Sequence, residues 1–192
     1  FLQSIRAALC VQLKDEMGTD AIEQREKELL EIALPAMRSI TKTHLLANQV
    51  DERLGILSFY VEDAHYNLLT TLLNYCIVIQ VRGGCSCAGT YGHYLLHVDP
   101  TRSRRITDKI DHGDLSEKPG WVRLSLHPTM TDEELHFILD AIEEVVTNVH
   151  TLEEEYAYHP HTNTFHHKSQ NAPSQLCDSS WFSLDHQRCV RL

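Results

Sequence analysis

The chain has no excess of basic residues. Its 17 Lys and Arg stand against 27 Asp and Glu, for a formal net charge of −10. A phosphate backbone recruits Lys and Arg, so this balance argues against non-specific nucleic-acid binding. The chain also lacks any apolar run near the roughly 20 residues that span a bilayer, so no membrane-spanning helix is expected. Its start shows no charged n-region followed by an apolar h-region, so no secretory leader is expected, and Phe1 in place of Met points to something upstream. No internal repeat is visible. What is there is ordinary for a globular protein: 42% hydrophobic and 23% charged, at a length of 192 residues that suits one domain, or one domain with a tail.

The six cysteines are Cys10, Cys76, Cys85, Cys87, Cys177 and Cys189. An even count fits disulfides in a secreted protein. A chain this long builds a core without them, and with no secretion signal a reducing, cytoplasmic compartment with free thiols is the expectation.

Helical spacing of Leu2, Ile5, Leu9 and Leu13 predicts a helix over 2–16, broken near Gly18. A second helix is expected over 21–40, capped by Asp20 with Glu23 three residues on, and with Pro35 as a kink. Its expected buried face is Ile22, Leu29, Leu30, Ala33, Met37 and Ile40. Strands are expected over 54–61, 77–81 and 121–126, from short apolar, β-branched runs. Helices are expected over 64–75 behind Asp63, over 101–111, and from Thr131 to about 150, where Glu134 completes a capping box. The remainder, 151–192, is rich in histidine and shows no sustained period, so it reads as a surface-wrapping or partly disordered tail. Three strands interleaved with helices predict an α+β fold, a small three-stranded sheet packed with helices. The expected organisation is a helical segment over 1–50, a small domain over 51–150 and the tail over 151–192.

Three features bear on chemistry. The loop from Arg82 through Gly83, Gly84, Cys85, Ser86 and Cys87 to Ala88 and Gly89 carries two cysteines beside an arginine, with His93 beyond. Positive charge lowers a thiol's pKa, and a thiolate on such a loop is a nucleophile; the alternative is a glycine-rich turn whose cysteines fill space. Cys85, Cys87, His93 and His97 are also four potential zinc ligands, although the C-x-C spacing is tighter than usual. The histidines at 159, 161, 166 and 167 could bind metal weakly or simply be solvated. Arg123 lies inside the third strand, where its planar fork suits a carboxylate; the alternative is a solvent-facing arginine or one paired with a structural acid.

Taken together, these motifs resemble the class V aminotransferase and cysteine desulfurase (selenocysteine lyase-like) family. The family pattern Val-Arg-x-Gly-x-x-Cys-Ala falls on Val81, Arg82, Gly84, Cys87 and Ala88. The run from Trp121 to Leu126, followed by Thr131 to Leu135, looks like the family's Arg-x-Ser strand and Thr-x-Glu-Glu helix start. Leu54 to Phe59 resembles the strand that opens its small domain. The resemblance covers about 1–149 and implies the C-terminal small domain of a fold-type I pyridoxal-phosphate (PLP) enzyme. PLP would serve as electron sink, Cys87 as sulfur-accepting catalytic thiol, Arg123 as clamp on the substrate carboxylate and Arg82 as a second positive group. The complete form would be a homodimer acting on an amino acid.

Two departures accompany it. Gly89, Thr90 and Tyr91 replace the Gln-Pro found in many desulfurases, which leaves transamination or another β-elimination open, and Cys85 has no counterpart. None of the six lysines, Lys14, Lys27, Lys42, Lys109, Lys118 and Lys168, sits in the Ser-x-His-Lys context of the family's Schiff-base lysine. This chain by itself is therefore expected to be inactive, with PLP held mainly by a preceding large domain. A non-catalytic metal- or redox-binding module built on Cys85 and Cys87 is the alternative from another class.

Overall fold

The structure, a computed structural model, describes residues 1–85 and 89–169. In chain order it forms α1 (Leu2–Met17), α2 (Thr19–Ser39), β1 (Thr43–Leu45), β2 (Ile56–Val61), α3 (Tyr66–Cys76) and β3 (Arg82–Gly84). It continues with α4 (Gly89–Leu95), α5 (Pro100–Asp111), β4 (Trp121–Ser125), α6 (Asp132–Glu153), β5 (Tyr156–His159) and β6 (Thr164–His167). No described helix is long and apolar enough to cross a membrane.

The fold is α+β. An antiparallel sheet in the order β1-β2-β4-β3 is backed on one face by α2, α3 and α6. Alternation along β2 decides which residues face the helices. Leu57, Phe59 and Val61 are buried, while Ile56, Ser58 and Tyr60 point the other way. Register carries the pattern across the sheet, since Leu57 lies opposite Leu124 and Phe59 opposite Val122. These meet Leu29, Ala33 and Met37 of α2, Leu68, Leu69 and Leu72 of α3, and Leu135, Ile142 and Val145 of α6 in one core. Each fully buried Leu, Phe or Val stabilises by roughly 1.5–3 kcal/mol relative to exposure.

The start of α6 forms as its sequence demands. Thr131 Oγ1 accepts from the Glu134 N–H at 3.1 Å, and Glu134 Oε2 accepts from the Thr131 N–H at 2.8 Å. The other two expected caps differ. The residue ahead of α2 is Gly18, with no side-chain cap, and Asp20 lies inside the helix. Asp63 sits in a turn at φ 58, and His65 caps α3 by accepting from the Asn67 N–H at 3.1 Å.

The sheet has four strands, one more than the apolar runs predict, and one of the three is displaced. Residues 77–81 are not a strand. Their run is broken at Val78, at φ 62, while Ile79 and Val81 turn into the core. Two bonds hold them there: the Ile79 N–H to the Leu73 carbonyl and the Val81 N–H to Asn74 Oδ1. The strand begins where a loop is expected, at Arg82. The short β1 carries too few residues to show a period.

The segment after α6 is a hairpin and not an irregular tail through Lys168: β5 pairs β6 from Tyr156–His167 to His159–Thr164. Phe165 is buried against the core, and Asn163, also buried, donates to Tyr66 Oη at 2.7 Å and accepts from Tyr158 Oη at 2.9 Å. Aromatic packing and one buried amide fix this hairpin, which alternation alone does not reveal. On α1, by contrast, Leu2, Ile5, Leu9 and Leu13 form the expected stripe but all stay exposed.

Candidate functional site

The face of the sheet turned away from the helices carries the sequence's two candidate arginines side by side. In the β3–β4 pair Arg82 is directly opposite Arg123, and in the β2–β4 pair Ser58 is opposite Arg123. Directly opposed residues share a face, with Cβ atoms about 4.5–5.5 Å apart. Ser58, Arg123 and Arg82 therefore form one row across three strands. Arg82 is exposed and Arg123 half-buried. Among the described residues neither forms a salt bridge, whereas Arg25, Arg38 and Arg105 each do. Two like charges in direct opposition destabilise a sheet, so an anion on this row relieves a cost that folding alone leaves in place.

Glycines shape the strand that brings Arg82 there. A Cβ on Gly83 would come within 2.6 Å of Thr70 Oγ1 and 2.9 Å of Asn67 Oδ1, so β3 lies against the start of α3 at a distance only glycine permits. Gly84 has φ 130, a conformation that favours glycine. The pair thus serves packing and backbone geometry. One row further along, Trp121 is buried although it shares the open face, because α4 covers it: a Cβ on Gly92 would lie 3.3 Å from its ring. Tyr60, two residues beyond Ser58 on β2, stacks on His44 with ring centroids 4.9 Å apart. Ser58 was legible only as a member of the expected strand over 54–61; its place opposite Arg123 depends on register.

Cys87, the expected nucleophile, lies outside the described residues together with Ser86 and Ala88. The chain enters that stretch at Cys85, half-buried and free, and leaves it at Gly89, the first residue of α4. Both ends thus flank β3 and α4. Of the four potential zinc ligands Cys87 lies outside the described residues, and among the described residues no three His, Cys, Asp or Glu side chains come together to hold a metal. His93 bonds Ser103 of α5 at 3.0 Å, and the His159 ring packs edge-on against His166.

The lysines do not fit a PLP Schiff base. Each is exposed or half-buried. Carboxylates hold Lys27 and Lys109 charged, raising both above the ordinary lysine value: Glu23 is 2.6 Å from Lys27, and Glu117 is 2.7 Å from Lys109. Lys168 donates to the Glu154 carbonyl.

The sequence model of the family described as Aminotransferase class-V matches residues 3–138, more than half of the chain. A protein described as probable cysteine desulfurase, from two strains of Staphylococcus epidermidis, is 31% identical over 86 residues. That match covers 45% of this chain and 21% of the relative, so the chain corresponds to about a fifth of the curated relatives' length. Among solved structures, it is similar to the apo cysteine desulfurase of Thermococcus onnurineus NA1, with TM-score 0.48 and 21% identity over 70% of this chain and 28% of that one. It is also similar to the cysteine desulfurase CsdA (S-sulfonic acid) of Escherichia coli, with TM-score 0.42 and 15% identity over 65% of this chain and 25% of that one. With the family match spanning both arginine strands and the start of α6, the chain belongs to the class V aminotransferase family, whose members in general depend on PLP.

Proposed function

We propose that this chain is the small-domain portion of a PLP-dependent class V enzyme acting on an amino acid, as a homodimer when complete. The observation that carries this reading is the direct opposition of Arg82 and Arg123 on the open sheet face. Arg123 grips the substrate carboxylate through its fork, and Arg82 adds a second positive group on the same row. Bound PLP supplies the electron sink for reactions at the amino acid's α-carbon; the residues that hold it belong to a large domain outside this chain. Cys87 accepts sulfur from a cysteine-type substrate. That assignment rests on the Val81-to-Ala88 motif and on the relatives described as probable cysteine desulfurase.

The test is sulfide release from L-cysteine, with PLP and a reductant, by a protein carrying this chain behind a class V large domain. Release that is lost in Cys87→Ala supports the desulfurase reading. A protein that visibly holds PLP but releases no sulfide overturns it. The second reading is then transamination of another amino acid, which Gly89 and Thr90 favour, since they open α4 where many desulfurases have Gln-Pro.

A further inference from the structure

Apart from the arginine row, a cavity of about 470 Å³ opens where β2 ends and β4 begins. Its walls come from the turn before α3 (Ala64, His65), from α5 (Arg102, Arg105) and from the loop that leads into β4 (Ser116 to Gly120). Three cations line it, Arg102, Arg105 and Lys118, against one carboxylate, Glu117. That carboxylate is already engaged through both oxygens: Arg105 binds one at 2.8 Å and Lys109 the other at 2.7 Å. Arg102 and Lys118 form no salt bridge with any described residue. In a chain of net charge −10, this is a local concentration of positive charge without its acids.

His65 adds a neutral wall. Its Nδ1 accepts the Asn67 N–H at 3.1 Å, so the ring proton resides on Nε2. Nε2 is buried and has no hydrogen-bond partner. Burial pushes the imidazole down to about 4, so the ring stays neutral near pH 7 and the Nε2–H remains a donor without an acceptor. A buried unsatisfied donor costs about 1–3 kcal/mol. The ring is fixed from behind by stacking on Tyr66 at 4.6 Å and by Tyr158 and Phe165. Leu96, Val98 and Pro119 give the cavity an apolar side.

Unmatched cations around one cavity with an apolar side make a site short of anions. We propose that it binds the oxyanion group, phosphate or carboxylate, of a small molecule with a compact apolar body. Arg102 and Lys118 supply the charge, and the His65 ring supplies a neutral wall. The size suits a small ligand, since such sites run from about 300 Å³ upward. The site lies outside the row assigned to the substrate carboxylate and is independent of which reaction that row serves.

The test uses the 192-residue chain, titrated separately with inorganic phosphate and with citrate and followed by nitrogen–proton NMR of the backbone amides and of His65 Nε2. The expected result is saturable shifts at Lys118, Gly120 and His65 with at least one of the two anions. An Arg102→Ala/Lys118→Ala double variant should weaken that binding about tenfold or more, the loss of roughly 1.4 kcal/mol. Lys27→Ala, on the far side in α2, should leave it unchanged. Saturation by phosphate alone assigns a phosphorylated ligand, and saturation by citrate alone a carboxylate. Linear, unsaturated shifts with both anions overturn the proposal, as does equal binding by the double variant.

Discussion

The two faces of the four-stranded sheet are built from the same strands and obey different rules. On one, Leu57, Phe59, Val122 and Leu124 meet three helices in a dry core. On the other, Ser58, Arg123 and Arg82 stand in a row with like charges opposed. A sheet selected only for stability would not place two arginines opposite each other without an acid between them. The first face explains why the chain folds; the second explains what the fold presents. Core positions and open-face positions thus alternate residue by residue along β2 and β4.

That contrast can be broken by substitution. Phe59→Ala should cost about 3–5 kcal/mol in urea unfolding, by emptying space beneath β4, whereas Ser58→Ala, one residue away, should change stability by less than about 0.5 kcal/mol. Similar losses at both positions would mean that the open face is itself a core. Asn163→Ala should cost about 1–3 kcal/mol, because it leaves the Tyr66 and Tyr158 hydroxyls without their shared partner. A negligible effect would detach the β5–β6 hairpin from the fold.

The pH dependence of stability sharpens the account at His65. Its folded pKa of about 4 lies below the ordinary 6.5. Between those values the unfolded chain takes up a proton that the folded chain refuses. Stability from this group is therefore intact above pH 6.5, falls as the pH drops toward about 4, and levels off below. Carboxylates held low by their partners, such as Asp99 and Glu117, add their own loss at lower pH, so the comparison is between proteins. His65→Phe should show a shallower loss than the parent between pH 7 and about 5 in urea midpoints; parallel curves would refute the buried neutral ring. The smallest effect belongs to the open face: Arg82→Thr should stabilise the isolated chain by up to about 0.5 kcal/mol by removing like-charge opposition, and a clear destabilisation would show that Arg82 has a structural acid partner.

Much of this fold was legible in the sequence where a local signal is strong. The Thr131–Glu134 capping box, the apolar, β-branched and aromatic run from Leu54 to Val61 and the apolar face of α2 each predict their element. What was not legible depends on contacts distant in sequence. Ile77 to Val81 has the composition of a strand, yet it runs as a loop in which Ile79 and Val81 are buried while Val78, at positive φ, is exposed. The hairpin over 156–167 owes its place to Asn163 and to a cluster of rings around His65. For the site, the sequence named Arg82 and Arg123 separately, and only register makes them neighbours. Cys87 lies outside the described residues.

The central claim is that the row of Arg123 and Arg82 receives the substrate carboxylate. The most direct test is kcat/KM, for the amino acid turned over, of a protein carrying this chain behind a class V large domain, with Arg123→Ala compared against Ser58→Ala. Loss of a charged hydrogen-bond partner predicts a drop of about 10- to 100-fold for Arg123→Ala, mainly through KM, and little change for Ser58→Ala. An Arg123→Ala protein that keeps the parent's kcat/KM would contradict the assignment.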